Sequence, residues 1–149
     1  MIGIIIVGHG NFASEIISIA ENIMGEQKCL EAVSVKVGEG EYALRNKLDM
    51  ILKMPAFERS EGPGLERSEG MDIDGTLILS DIFGGSFSNT CMYFAQNRRR
   101  VAVVTGVNLP MVLKVLTYRD SVDLGELVSL ACKGGKEGIL DACGWLDRK

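Results

Sequence analysis

Short apolar runs alternate along this chain with segments whose apolar positions recur at helical spacing. Residues 2–7 form a nearly continuous β-branched run that stops at Gly8, the pattern of a strand buried on both faces. Phe12, Ile16, Ile19, Ala20 and Ile23 then mark one face of a helix over about 12–24, closing near Gly25. Residues 30–37 read as a second strand. Leu44, Leu48, Ile51 and Leu52 mark a second helix, stopped by Pro55. Residues 76–80 and 101–105 are two further strands, with a helix carrying Phe87, Cys91, Phe94 and Ala95 between them. A fourth helix bears Leu109, Val112, Leu113 and Leu116, with Asn108 as its N-cap and Pro110 in its first turn. A fifth bears Leu124, Leu127, Val128 and Ala131, and Asp123 with Glu126 resembles a capping box. Residues 138–146 fit either a last strand or a helical extension.

Strand–helix alternation of this kind predicts an α/β fold, a doubly wound parallel sheet with helices on both faces. Right-handed crossovers leave the strand order 2-1-3-4 as the best fit. With 149 residues, a single domain spanning 1–149 is expected. One segment interrupts the pattern. Glu-Arg-Ser-Glu-Gly occurs twice, at 58–62 and 66–70, around Pro63-Gly64. Residues 54–74 hold six acidic and two basic groups, a net −4 that equals the charge of the whole chain. Their low complexity and few apolar groups predict a flexible insertion at 55–74, a tolerated surface segment rather than a docking motif.

Composition narrows the function classes. The net charge of −4 and the single histidine, His9, exclude two of them. An acidic chain gives no support to nucleic-acid binding, and one imidazole cannot build a His-rich metal cage. The four cysteines contain no C-x-x-C pair, so they read as free thiols in a reducing compartment. No apolar run approaches the roughly 20 residues of a membrane span, and the N-terminal run lacks a basic flank. A cytoplasmic protein with no stable membrane insertion, no metal and no cofactor is expected.

In such a sheet, ligands bind beyond the carboxyl ends of the strands. Strand one ends in Gly8-His9-Gly10-Asn11, strand three in Ser80-Asp81 followed by Gly84-Gly85-Ser86, and strand four in Thr105-Gly106-Val107-Asn108. The order 2-1-3-4 makes strands one and three neighbours, so His9 and Asp81 would face one crevice with Ser86 beside them. A carboxylate on one ring nitrogen fixes the imidazole tautomer and leaves the other nitrogen as a nucleophile. Glycines permit close approach, and free N–H groups at helix starts can cradle phosphate oxygens. Gly10, Gly84, Gly85 and Asn108 are the candidate phosphoryl-binding positions, and His9, Asp81 and Ser86 the candidate catalytic ones. Each feature alone is more often structural: a histidine after a strand, a tight Gly-Gly turn, an Asp capping a helix. Their coincidence at adjacent strand ends favours a phosphohistidine site.

The same residues carry a resemblance. Ile-Ile-Ile-Val-Gly-His9-Gly, Ser80-Asp81-Ile-Phe-Gly84-Gly85-Ser86 and Val104-Thr-Gly106-Val107-Asn108-Leu-Pro110-Met111 resemble the enzyme IIA subunit of the mannose family of the bacterial phosphoenolpyruvate-dependent sugar phosphotransferase system. The similarity runs over nearly the whole chain. It implies that His9 receives phosphate from the phosphocarrier HPr and passes it to a IIB domain in sugar uptake. It further implies that Asp81 orients the imidazole and that Ser86 lies near the phosphoryl group. A homodimer with an exchanged C-terminal strand is implied as well, which would give residues 138–146 a place. No IIB domain follows in this chain, so the acceptor is expected on a separate chain. Two departures stand out: the family continues Gly-Gly-Ser with Pro-Phe-Asn where this chain has Phe87-Ser88-Asn89, and it joins the second helix to the third strand by a short loop.

Rival readings remain. Gly8, Gly10 and Ala13 match a dinucleotide-binding turn between a strand and a helix, although Glu39 is the sole carboxylate near the tip of the second strand. A regulatory protein, or a dihydroxyacetone-kinase phosphotransfer subunit of the same fold, would use the same histidine.

Overall fold

A computed structural model describes residues 1–54, 57 and 73–148. Within them the chain runs β1 (Ile2–His9), α1 (Phe12–Met24), β2 (Leu30–Val35), α2 (Glu41–Leu52), β3 (Gly75–Ser80), α3 (Gly85–Asn97), β4 (Val101–Thr105), α4 (Leu109–Tyr118), α5 (Leu124–Glu137) and α6 (Ala142–Leu146). The strands form one parallel sheet in the order β2-β1-β3-β4. This is the expected doubly wound order.

Alternation along β1 divides the core in two. Ile2, Ile4 and Ile6 join Leu77 and Leu79 under Ala13, Ile16 and Ala20 of α1, Val112 and Val115 of α4 and Leu127 of α5. Ile5 and Val7 join Val33, Val35 and Ile78 under Leu44 and Leu48 of α2 and Cys91 and Phe94 of α3. Both faces of β1 are therefore covered, which is why its sequence is a run of isoleucines rather than an alternation. Gly8 lets α1 turn back sharply, because a Cβ there would come within 2.7 Å of the Phe12 ring.

Local chemistry starts the last long helices where the sequence indicates. Asn108 accepts the Met111 N–H at 3.0 Å, with Pro110 in the first turn, and Asp123 accepts the Glu126 N–H at 2.8 Å. These caps supply acceptors to N–H groups that have no intrahelical partner. The α4–α5 contact is close because α5 presents glycines. A Cβ on Gly135 would meet Met111 Cε at 2.7 Å, and one on Gly138 would fall onto the Pro110 ring. Gly138→Ala is therefore expected to cost about 1–3 kcal/mol through overpacking against a rigid ring. Urea unfolding measures it, and an unchanged midpoint would refute the packing.

The 138–146 segment does not extend the sheet within this chain. It closes as the short helix α6, capped by Asp141, whose carboxylate accepts the Gly144 N–H at 3.0 Å. The expected insertion at 55–74 lies, apart from Phe57, Ile73 and Asp74, outside the described residues.

Among the cysteines, Cys29 and Cys91 are buried and Cys143 is exposed. Burial, with the Asp81 charge nearby, pushes the Cys91 thiol up to about 12. Alkylation followed by peptide mapping should label Cys143 in the native protein and Cys91 only after unfolding. Native labelling of Cys91 would contradict this packing.

Candidate active site

β1 and β3 lie side by side, but the chain leaves them in opposite directions. α1 follows β1 onto one face of the sheet and α3 follows β3 onto the other. The carboxyl ends of these strands therefore border the open crevice of the switch point. His9 is the last residue of β1, and Asp81 follows the last residue of β3.

The two side chains meet. His9 Nδ1 lies 2.7 Å from Asp81 Oδ2. The same carboxylate accepts the His9 backbone N–H at 2.8 Å on Oδ2 and the Ile82 N–H at 2.8 Å on Oδ1. The Asp81 N–H in turn donates to the Val7 carbonyl at 3.1 Å, which ties the turn to β1. Burial alone would raise the Asp81 carboxyl, but these donors outweigh it and hold the group below its ordinary value. An ionised carboxylate can only accept, so Nδ1 carries the ring proton and the Nε2 lone pair is left for chemistry. The His9 side chain is 56% exposed and that of Asp81 20%. The imidazole thus faces solvent while the carboxylate bonded to it is sheltered.

Helix starts flank the pair. Neither Asn11 before α1 nor Gly84 before α3 caps its helix with a side chain. First-turn N–H groups at both ends, those of Gly85 and Ser86 included, have no intrahelical partner and point a positive dipole end toward the crevice. Phe87 meets the His9 ring edgewise, with centroids 5.5 Å apart and planes at 82°. The recess beneath, lined by Val35, Ser80 and Ser88 among others, has room for about 10 Å³, roughly one water. Ser80 buries there a hydroxyl that has no hydrogen-bond partner among the described residues.

The structure brings together some of the expected residues and separates others. Gly10 and Gly84 adopt left-handed backbone, φ 56° and 101°, which suits glycine. Their N–H groups are committed internally, however, to the Val35 carbonyl at 2.9 Å and the Ser88 hydroxyl at 3.0 Å. Gly85 begins α3 with φ 78°. Ser86 is half-buried in the first turn of α3, but it is Ser88 that lines the recess beside His9. Asn108 lies apart from the His9–Asp81 pair. It sits beyond β4, a strand further from β1, and both ends of its amide are occupied: Oδ1 caps α4 and Nδ2 donates to the Gly135 carbonyl at 3.0 Å. Its role in this structure is to join α4 to α5. Phe87 and Ser88 lie beside His9 as well, and sequence reasoning did not single them out.

The dinucleotide reading loses its acidic partner here. Glu39 accepts from the Lys47 ammonium at 2.7 Å and the Lys36 N–H at 3.0 Å, and these bonds hold its carboxyl below the usual range. A groove of about 390 Å³ between α2 and α3, lined by Tyr42, Arg45, Asn89 and Tyr93 among others, contains neither His9 nor Asp81.

The family model described as the PTS system fructose IIA component matches residues 3–56 and 68–131. The chain belongs to this mannose-type IIA family. Its relatives include the PTS system fructose-specific EIIA component of Bacillus subtilis (strain 168), 33% identical over 87% of this chain and 78% of that one. The PTS system mannose-specific EIIAB component of Escherichia coli (strain K12) is 30% identical over 93% of this chain, which spans only 38% of that longer relative. Among solved structures, the phosphotransferase system component EIIA from Streptococcus agalactiae has a TM-score of 0.78 at 26% identity, covering 95% of this chain and 97% of that one. The mannose/sorbose specific IIA subunit from Enterococcus faecalis has a TM-score of 0.74 at 25% identity, covering 93% and 92%.

As a IIA component, the chain has a phosphotransfer role in sugar uptake. Both matched spans carry the site: His9 lies in the first, and Asp81, Ser86 and Phe87 lie in the second. The unmatched residues between them fall within the segment that reads as inserted. No helix among the described residues is long and apolar enough to cross a membrane.

Proposed function

We propose that this IIA component is a phosphoryl carrier. His9 Nε2 takes the phosphoryl group from phosphorylated HPr, holds it as phosphohistidine and passes it to a IIB domain. The observation that carries this reading is the 2.7 Å contact between Nδ1 of the one histidine and a sheltered carboxylate, with Nε2 left toward solvent.

The chemistry balances without a proton acceptor. The Nε2–P bond forms as the donor's N–P bond breaks. The donor ring departs neutral, keeping the N–H on its other nitrogen, and His9 keeps its Nδ1–H. Positive ring charge therefore arrives on His9 with the phosphoryl group, and Asp81 neutralises it. First-turn N–H groups of α1 and α3 face the phosphoryl oxygens, where fixed dipoles stabilise transferring charge.

The surroundings suit a protein donor better than a small molecule. The recess at His9 is too small for a metabolite, whereas Ile82, which lines it, and the adjoining Phe83 are exposed. Apolar side chains around an exposed nucleophile fit protein docking. A homodimer that exchanges C-terminal segments is part of the same reading. It is supported by the outer edge of β4, which pairs with no strand among the described residues, and by the exposed Ile139, Leu140 and Leu146. The protein would work in the cytoplasm, with residues 55–74 as an insertion into one IIA domain.

Incubation with enzyme I, HPr and phosphoenolpyruvate, followed by intact mass measurement, tests the proposal. One acid-labile phosphate per chain is expected, and an unchanged mass would refute it.

A further inference from the structure

An exposed imidazole rotates about its side-chain bonds unless something holds it. The bond to Asp81 fixes one nitrogen, but with His9 56% exposed, little else packs around the ring. Phe87 supplies the second contact, edge to face at 5.5 Å, within the range favoured by aromatic pairs. Its own base is firm. Phe87 packs partly buried against the cluster that contains Ile78, Cys91 and Phe94. The turn before it is pinned by Ser88, whose hydroxyl accepts the Gly84 N–H at 3.0 Å and donates to the Gly85 carbonyl at 3.3 Å. A ring anchored in the core thus bears directly on a ring at the surface.

We propose that Phe87 is a positioning residue for the phosphoryl-accepting imidazole. Its ring restricts His9 to the rotation in which Nδ1–H stays on Asp81 and Nε2 points outward for in-line attack. This rests on the carrier reading, since the transfer step is what gives the orientation its consequence. Phe87 does not reach the phosphorus; it acts through His9. A nucleophile held in one orientation reacts more often per encounter, so the effect belongs in the transfer step and not in the affinity for the donor.

Three substitutions separate positioning from packing. Phe87→Leu restores apolar volume without a ring, Phe87→Tyr keeps the ring, and Phe87→Ala removes both. With phosphorylated HPr as donor, Phe87→Ala is expected to lower kcat about tenfold to a hundredfold at unchanged KM, because small misplacements of a reacting group carry penalties of that order. Phe87→Tyr should restore kcat. Phe87→Leu should recover the thermal midpoint but not the rate. Recovery of the rate by Phe87→Leu, or no loss in Phe87→Ala, would overturn the proposal. A rise in KM with kcat preserved would assign Phe87 to donor docking and overturn it equally. Nitrogen-15 spectra of the unphosphorylated protein provide a readout independent of transfer. The wild type should show one Nδ1–H tautomer with a slowly exchanging ring proton, and Phe87→Ala should show an averaged ring. Identical spectra would refute positioning. Failure of the wild type to take up phosphate would instead refute the carrier reading, leaving the spectra to decide the role of Phe87.

Discussion

His9→Ala takes up no phosphate from phosphorylated HPr under conditions in which the wild-type chain gains one acid-labile group. The expected loss is complete rather than partial because this chain holds a single imidazole. No second histidine can accept the group. Neighbouring nucleophiles are poor substitutes: Cys91 is fully buried with its thiol pushed up to about 12, and the Ser80 hydroxyl is buried beneath the pair. The substitution should spare the fold. The His9 side chain is largely exposed, and the backbone N–H to Asp81 remains, so the change removes about one hydrogen bond to a charged group, roughly 1.5–3 kcal/mol. Thermal unfolding of the variant verifies that a folded protein is being tested. Labelling of folded His9→Ala at the wild-type rate would move the chemistry to another residue and end the assignment.

The elements that bury a face were legible in the sequence, and those that bury none were not. The isoleucine run of β1 and the i, i+3, i+4 positions of α1 exist because both are packed, and packing writes periodicity into sequence. The 2-1-3-4 order followed from handedness and strand–helix alternation alone. Residues 138–146 carry no such signal, since Ile139, Leu140, Trp145 and Leu146 remain largely exposed in this chain, and only Asp141 marks the start of α6. The site divides in the same way. The meeting of His9 and Asp81 was legible because one ends β1 and the other directly follows β3, positions that topology brings together without side-chain detail. Phe87 and Ser88 were missed because their approach to His9 depends on left-handed backbone at Gly84 and Gly85, which aims the first turn of α3. Asn108 shows the converse case. It was assigned both to the cap of α4 and to an anion site, and its single carboxamide oxygen is committed to the cap. Oδ1 accepts the Met111 N–H and one Nδ2 hydrogen goes to the Gly135 carbonyl, so the amide serves to join α4 to α5.

Asp81→Asn slows transfer to His9 by about 10²–10⁴-fold, the range expected when a triad-type orienting carboxylate becomes an amide. The conflict is stereochemical as well as electrostatic. Oδ2 accepts both the His9 backbone N–H and Nδ1–H, while Oδ1 accepts the Ile82 N–H. With its oxygen toward His9, the amide sets an NH₂ against the Ile82 donor. With its oxygen toward Ile82, the NH₂ faces the His9 backbone donor and draws the ring into the opposite tautomer, which places the proton on Nε2. Either way, the charge that would balance a phosphorylated ring is gone. Rapid-quench transfer from phosphorylated HPr measures the effect, and a rate within a factor of two of wild type would remove Asp81 from the mechanism. Stability gives an independent check with a defined sign. The Asp81 carboxyl is held below 3.8 in the folded chain, so its ionised form stabilises the fold above the ordinary carboxylate value. That contribution is lost as pH falls through the lowered value. The stability advantage of wild type over Asp81→Asn should therefore be greatest near neutrality and shrink below about pH 4, where carboxyl groups begin to protonate. A difference that stays constant across this window would show that the carboxylate is not held ionised by its three donors, and the tautomer assigned to His9 would lose its support.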